Sequence, residues 1–164
     1  MGVTSPRIYT AFGDKKLLFL EAVRRYLSGP VTSEGIIRGA TTAREAAEQL
    51  MRTAAIGFTG SQTPSGCLLA TSAISCSADA KDVQAELAGI RRSIEDCLQG
   101  RIEGAVANGE LPAGTDAIAL AGHVMAVIQG LSTLARDGAS REKLRRVADH
   151  AMLAWPPSGL SAGP

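Results

Sequence analysis

Residues 2–19 read GVTSPRIYTAFGDKKLLF, and this stretch decides how the rest of the chain is interpreted. A hydroxyl residue followed by Pro6 is typical of a helix start, because the hydroxyl can cap free N–H groups and proline tolerates the first turn. Gly13 interrupts that helix, so it is short and a second, apolar helix follows. Ile8 and Phe12 are four residues apart and share the buried face. The exposed side then offers an arginine, a phenol and hydroxyls, which suit contact with phosphates.

The order of residues in this stretch resembles the end of the helix-turn-helix in the tetracycline-repressor (TetR) family of bacterial transcription regulators. The family pattern begins with glycine, valine and a hydroxyl residue. An aliphatic residue next to a tyrosine follows, and then an aromatic residue. After two residues of any type come a lysine and an apolar residue. This chain matches the pattern at Gly2, Val3, Thr4, Ile8, Tyr9, Phe12, Lys15 and Leu18. The resemblance implies that residues 4–10 form the recognition helix and that Lys15 starts the next helix.

The resemblance also implies an all-α, TetR-like fold with a partial helix-turn-helix at its N-terminal end. The family's first helix and the positioning helix of the motif precede the glycine, whereas only Met1 precedes Gly2 here. We therefore interpret residues 1–28 as the remnant of a DNA-binding domain that lacks its first two helices, together with the connecting helix. Residues 29–157 are expected to form a helical effector-binding and dimerisation domain, and residues 158–164 a flexible tail.

Five side chains of the opening stretch are predicted to contact DNA: Thr4, Ser5, Arg7, Tyr9 and Lys15. The hydroxyls of Thr4 and Tyr9 can donate to phosphate oxygens, and Lys15 adds positive charge where a helix N-terminus already favours an anion. Arg7 is the candidate for a base edge, because a guanidinium can pair with guanine through two hydrogen bonds. The alternative is that these are ordinary surface residues.

The composition is typical of a soluble globular protein, and we expect a cytoplasmic location. The 164 residues suit one average domain, with 45% hydrophobic and 20% charged residues. Aromatic residues make up only 4%, so the core is expected to consist of alanine, leucine, isoleucine and valine. The net charge of +1 does not by itself suggest a nucleic-acid partner. Neither a signal peptide nor a run of roughly 18–20 uncharged apolar residues is apparent, so we expect no membrane partner.

Most of the chain after the opening stretch shows helical periodicity. Helices are predicted at residues 15–27, 42–56, 79–107, 115–137 and 141–154. Periodicity alone would allow a buried strand at residues 67–74, whereas the family resemblance implies a short helix there. Thr42 and Glu45 form a capping box at one helix start, and Asn108 and Gly109 provide residues that accept a left-handed backbone at a helix end. Residues 31–41 are compatible with either a loop or a helical turn.

Two sets of residues in this body are predicted to carry function. Candidate ligand-binding residues are large or flexible side chains that we expect to face inward, namely Tyr26, Met51, Phe58, Ile94 and Met125. The last two helices resemble the family's pair that forms a four-helix bundle across a two-fold axis, which implies a dimer interface at Val124, Val127, Leu131, Leu134, Leu144, Val147 and Met152. For both sets, packing in the protomer's own core is the alternative explanation.

The sequence contains no pattern that predicts an enzyme, a metal site or a cofactor. It has no nucleophile elbow, and no glycine-rich loop precedes a lysine. His123 and His150 lack partners at metal-ligand spacing. Cys67, Cys76 and Cys97 stand singly in apolar surroundings, so we expect them to be reduced and mostly buried.

The sequence therefore predicts a ligand-responsive transcriptional regulator, most simply a repressor. It would act as a homodimer on double-stranded operator DNA and respond to a small apolar effector. The alternative is a truncated helical module that binds a small molecule or a protein partner and has no DNA-binding activity.

Overall fold

The computed structural model describes residues 13–61, 63–71 and 81–158, and every regular element in those residues is helical. The helices are α1 (Lys15–Leu27), α2 (Ser33–Gly39), α3 (Ala43–Gly57), α4 (Leu68–Thr71), α5 (Lys81–Ala107), α6 (Ala117–Arg136) and α7 (Arg141–Ala151), and a 3₁₀ turn follows at Met152–Ala154. The predicted all-α fold class is confirmed.

Helix starts coincide with residues that cap free N–H groups with their side chains. The Thr42 hydroxyl accepts a hydrogen bond from the Glu45 N–H at 3.0 Å, and the Glu45 carboxylate accepts one from the Thr41 N–H at 2.7 Å. The predicted capping box is therefore present, although its glutamate bonds the residue before the cap. Asp116 caps α6 and Ser140 caps α7 in the same way. The predicted start of a helix at residue 79 lies outside the described residues.

Residues 31–41, for which the sequence allowed a loop or a helical turn, contain helix α2. The Thr32 hydroxyl caps this helix by accepting a hydrogen bond from the Gly35 N–H at 3.0 Å. Ile37 is 1% exposed and anchors α2 in the core. Burial of this one large side chain gives a short helix the tertiary support that its length cannot supply.

The described helices bury two hydrophobic clusters. The main cluster joins α2, α3, the second half of α5, α6 and α7. The smaller cluster joins α1 and α4 to the first half of α5, through Leu20, Val23, Leu69, Val83 and Leu87. Cys67 and Ile94 pack against both clusters, so the boundary between the two cores lies at these residues.

Helix α6 is strongly apolar, and the rest of the chain buries only part of it. Its length and composition would suffice to cross a membrane, a property that core helices of soluble proteins share. One side packs against α3, α5 and α7. Only 28% of its most apolar 18-residue window is buried inside the chain, so an apolar surface remains on the opposite side.

Gly66 occupies a backbone position that no other residue fits. Its φ of +93° lies in the left-handed region, and an added Cβ would lie 2.7 Å from Arg136 Cγ and 3.0 Å from the Ser132 carbonyl oxygen. Gly109 also has a positive φ of +81°, but no atom lies within 4 Å of its would-be Cβ. Both positions therefore need a residue that accepts a positive φ, but only Gly66 also lacks room for a Cβ.

We predict that Gly66→Ala lowers the free energy of unfolding by about 2–5 kcal/mol, since it combines left-handed strain with overpacking. Gly109→Ala should cost only the strain, about 1–2 kcal/mol. Gly100 lies in the middle of α5 with open space around it, so Gly100→Ala should add about 0.5–1 kcal/mol. Urea unfolding of the three variants measures this order, and equal losses at Gly66 and Gly109 would contradict it.

Glu110 ties the end of α5 to the start of α3. Its carboxylate accepts a hydrogen bond from the Ala43 N–H at 2.6 Å and forms an ion pair with Arg101 at 3.4 Å. Arg101 also donates to the Thr41 carbonyl oxygen at 2.9 Å. The side chains of Arg101 and Glu110 are only 23% and 22% exposed, so this pair is less screened than a surface ion pair.

We predict that Glu110→Ala lowers the free energy of unfolding by about 1–3 kcal/mol, because it leaves the Ala43 N–H and the Arg101 guanidinium without their acceptor. The matched control is Glu21→Ala, which removes an ion pair with Arg24 whose side chains are both more than half exposed. That loss should stay within about 0.5 kcal/mol. Equal midpoints for the two variants in chemical unfolding would refute the role of Glu110.

Candidate functional site

The predicted DNA contacts lie mostly outside the described residues. This applies to Thr4, Ser5, Arg7 and Tyr9. Lys15 is described: it is the first residue of α1 and is exposed. It follows Asp14, whose carboxylate caps the helix by accepting a hydrogen bond from the Leu17 N–H at 2.8 Å.

The start of α1 is tied to the start of α5 by an ion pair between Lys16 and Asp82. The hydrogen bond between the two groups raises the pKa of Lys16 and lowers that of Asp82. The Val83 backbone N–H also lowers the pKa of Asp82. Both side chains are exposed, so solvent screens the pair and it contributes little to the stability of the fold.

The five predicted ligand-binding residues occupy different environments. Met51, Phe58 and Met125 are buried, with exposed fractions of 1%, 7% and 5%. Ile94 is partly buried at the boundary between the two clusters. Tyr26 is 45% exposed, which corrects the expectation that it faces inward. Its phenol nevertheless reaches Cys67, the partly buried residue that precedes α4.

Tyr26 belongs to a chain of contacts that connects α1 with α6. Its hydroxyl donates to the Cys67 sulfur at 3.7 Å, and the Cys67 N–H donates to the Ser132 hydroxyl oxygen at 2.8 Å. Burial of the phenol raises the pKa of Tyr26, and the Cys67 side chain adds to this by charge and by hydrogen bonding. The Leu68 backbone N–H acts in the opposite direction. The phenol therefore stays protonated to a higher pH than an ordinary tyrosine.

Ser132 is a residue of this chain of contacts that the sequence analysis missed. It is 0% exposed near the C-terminal end of the apolar helix α6, between the buried residues Leu131 and Ala135. A buried hydroxyl is costly unless it is hydrogen-bonded, so a lone serine on the inner side of an apolar helix indicates a specific partner. The sequence shows the lone serine among apolar residues, but it does not show which group the serine bonds.

The structure also contains an open groove beside the start of α6, with a volume of about 590 Å³. It is lined by Pro112, Gly114, Thr115, Asp116, Ala119, Leu120, His123, Ala154 and Pro156. None of the five predicted ligand-binding residues is among them. The groove is shallow and widely open to solvent, unlike the enclosed pockets that bury most of a small ligand.

The predicted dimer residues lie largely inside the protomer. Four of them are buried in its own core: Val124, Leu131, Leu144 and Met152. The other three are partly buried against the same core: Val127, Leu134 and Val147. For the four buried residues the intramolecular alternative is the right one, because their spacing marks the side of each helix that packs inward.

The opposite side of α6 forms a second, exposed surface. We call it the outer face of α6 and define it by Ala119, His123, Ala126, Gly130 and Thr133, all exposed. These positions recur at intervals of four and three, so they lie on one side of the helix. All but His123 carry small side chains, which lets another helix approach closely.

Among the described residues, no three histidine, cysteine or acidic side chains come together in a way that could hold a metal ion. Cys67 and Cys97 are both partly buried thiols, and Cys76 lies outside the described residues.

Known proteins similar to this chain are transcription regulators. Residues 45–151 match the family model "Tetracyclin repressor-like, C-terminal domain". The chain is 29% identical over 157 residues to the HTH-type transcriptional repressor ComR of Escherichia coli, a match that covers 94% of this chain and 75% of ComR.

Solved structures give the same result. A cysteine mutant of the TetR family transcriptional regulator CifR, complexed with 26-base-pair operator DNA, is 34% identical with a TM-score of 0.85. That match covers 94% of this chain and 81% of CifR. A putative TetR transcriptional regulator from Rhodococcus sp. RHA1 is 33% identical with a TM-score of 0.70, over 94% of this chain and 83% of the regulator. The chain belongs to the TetR family of transcriptional regulators.

Proposed function

We propose that this protein is a homodimeric, ligand-responsive repressor that binds operator DNA. The observation that supports this most directly is the likeness, over 94% of the chain, to a regulator solved on its operator DNA. The likeness to the ComR repressor supports repression rather than activation of transcription. The relatives are regulators rather than enzymes, which agrees with the absence of a catalytic motif in the sequence.

DNA binding is proposed for the segment that precedes α1. In this proposal residues 4–10 enter the major groove, Arg7 contacts a base edge, and the hydroxyls of Thr4, Ser5 and Tyr9 contact phosphates. Lys15, at the exposed start of α1, adds a phosphate contact. Helix α1 then connects this segment to the effector-binding and dimerisation body.

Dimerisation is proposed through the outer face of α6. Only 28% of the most apolar 18-residue window of α6 is buried inside the chain, which leaves apolar surface for a partner to cover. Ile118, at the start of the same helix, is 67% exposed and would extend the covered area. Two copies joined here can hold their recognition helices about 34 Å apart, the spacing of successive major grooves.

The effector is proposed to bind in the body near the boundary of the two clusters, where Ile94 packs against both of them. Met51, Phe58 and Met125 remain the candidates for its apolar wall. An apolar molecule inserted between the clusters would move α1 relative to α6. The effector favours release of DNA only if it binds the DNA-free arrangement of the dimer more tightly than the DNA-bound arrangement.

We predict that Arg7→Ala weakens binding to the cognate operator by roughly 5- to 150-fold, because a bidentate contact to guanine contributes about 1–3 kcal/mol. Tyr9→Ala should weaken binding to all DNA sequences similarly, because a phosphate contact carries no sequence information. Gel-shift assays with DNA upstream of the gene, on protein expressed from its full coding region, measure both effects.

The control for the gel shift is Arg145→Ala, which removes an exposed arginine of α7, remote in the chain from the opening stretch. Its affinity should equal that of the wild type. Unchanged affinity in both Arg7→Ala and Tyr9→Ala would refute the recognition helix. Absence of binding by the wild type to any such DNA would favour the helical module without DNA-binding activity.

We predict that Ala126→Asp converts a dimer into a monomer. Ala126 is exposed in the single chain, so the variant should fold with the same helix content. In the dimer the new carboxylate would be buried without a partner, which costs several kcal/mol. Sedimentation velocity of the wild type and the variant at equal concentration measures the change.

Ala113→Asp is the matched control, because Ala113 is exposed in the connection between α5 and α6. It adds the same charge away from the outer face of α6 and should leave the dimer intact. A wild-type chain that sediments as a monomer, or an Ala126→Asp variant that stays dimeric, would refute the proposed interface.

A further inference from the structure

Gly66 and Cys67 form a joint between α6 and α1. On one side the backbone of this dipeptide lies against α6, and on the other side the Cys67 side chain lies beneath the phenol of α1. Helix α4, which starts directly after the dipeptide, is in contact with both α1 and α6. Because α1 and α6 belong to different clusters, this joint connects the two cores.

The backbone of the joint has no freedom to slide along α6. Gly66 approaches the Ser132 carbonyl oxygen and the Arg136 side chain so closely that no Cβ fits. On its other side the Gly66 N–H donates to the Phe58 carbonyl oxygen at 2.9 Å. A shift of α6 at Ser132 must therefore displace Gly66 and Cys67 with it.

Ser132 fixes the second residue of the joint. Its buried hydroxyl accepts the Cys67 N–H at 2.8 Å, which satisfies both groups away from water. The neighbouring Thr133 is exposed and directs its hydroxyl to the Gln129 carbonyl oxygen of its own helix. Of these two adjacent hydroxyls, only that of Ser132 connects α6 to another element.

Tyr26 occupies the other side of the joint. Its hydroxyl donates to the Cys67 sulfur at 3.7 Å. Tyr26 lies in the last turn of α1, one residue before the end of the helix at Leu27. The position of Cys67 therefore sets where the C-terminal end of α1 can lie.

We propose that Ser132 is a positioning residue that holds Cys67 against the phenol of Tyr26 and so couples the position of α6 to that of α1. The regulatory meaning of this coupling rests on the proposed function, in which α6 carries the dimer interface and α1 leads to the DNA-binding segment. The coupling itself is a property of the single chain.

The test is Ser132→Ala, in a chain whose other tyrosine is replaced by Tyr9→Phe. We predict that the Cys67 amide exchanges its hydrogen roughly 5- to 150-fold faster, because its buried acceptor is lost. The Gly66 amide keeps its Phe58 acceptor and should change much less. The pKa of Tyr26, followed by the absorbance of the phenolate with circular dichroism as a check on folding, should fall toward its ordinary value.

Two further variants separate positioning from general stability. Thr133→Ala should leave both readouts unchanged, and Ser132→Thr, which keeps the hydroxyl, should restore the pKa of Tyr26. If Ser132→Ala does not fold, Tyr26→Phe supplies the second arm: the Cys67 amide should stay protected, because Ser132 still holds it. Loss of that protection would overturn the proposal.

A purely structural serine would give a different result. Ser132→Ala would then lower the melting temperature and speed exchange at Cys67 while the Tyr26 titration stayed as in the wild type, and the proposal would be wrong. Neither readout needs DNA or a second copy of the chain. Failure here is therefore distinguishable from failure of the proposed DNA-binding function.

Discussion

Helix α6 is strongly apolar, and its own chain buries one side of it. The inner side organises the main cluster by packing against α3, α5 and α7. It also holds Ser132, which fixes the segment leading into α4. The outer side carries small, exposed residues that leave room for a close cover. In our proposal a second copy of the same helix supplies that cover, so one helix serves both the core and the assembly.

The helices could be predicted because their ends are marked by capping residues and glycines close in sequence. Thr42, Asp116 and Ser140 cap helices in the structure as their residue types indicate, and Gly109 ends a helix with a positive φ. These features depend on residues within a turn of each other, which a single sequence displays directly. Helix α2 was less certain because its seven residues show little periodicity. It forms because burial of Ile37 supports it.

Relations between distant residues were not predictable in the same way. The spacing of Val124 and Leu131 correctly marked one side of α6, but spacing does not say whether a protomer core or a partner covers that side. The outer face, with Ala126 and Gly130, carries a weaker apolar signal because its side chains are small. The joint unites Tyr26, Cys67 and Ser132, which are far apart in the chain. Only the three-dimensional packing of α1, α4 and α6 brings them together.

The most direct test of this account is whether two copies meet through the outer face of α6. Isotope-filtered nuclear Overhauser measurements on a mixture of labelled and unlabelled protein detect only contacts between different chains. The account predicts intermolecular signals at the Ala119 and Ala126 methyl groups and none at Ala113. Absence of intermolecular signals at α6, or signals confined to other helices, would contradict it.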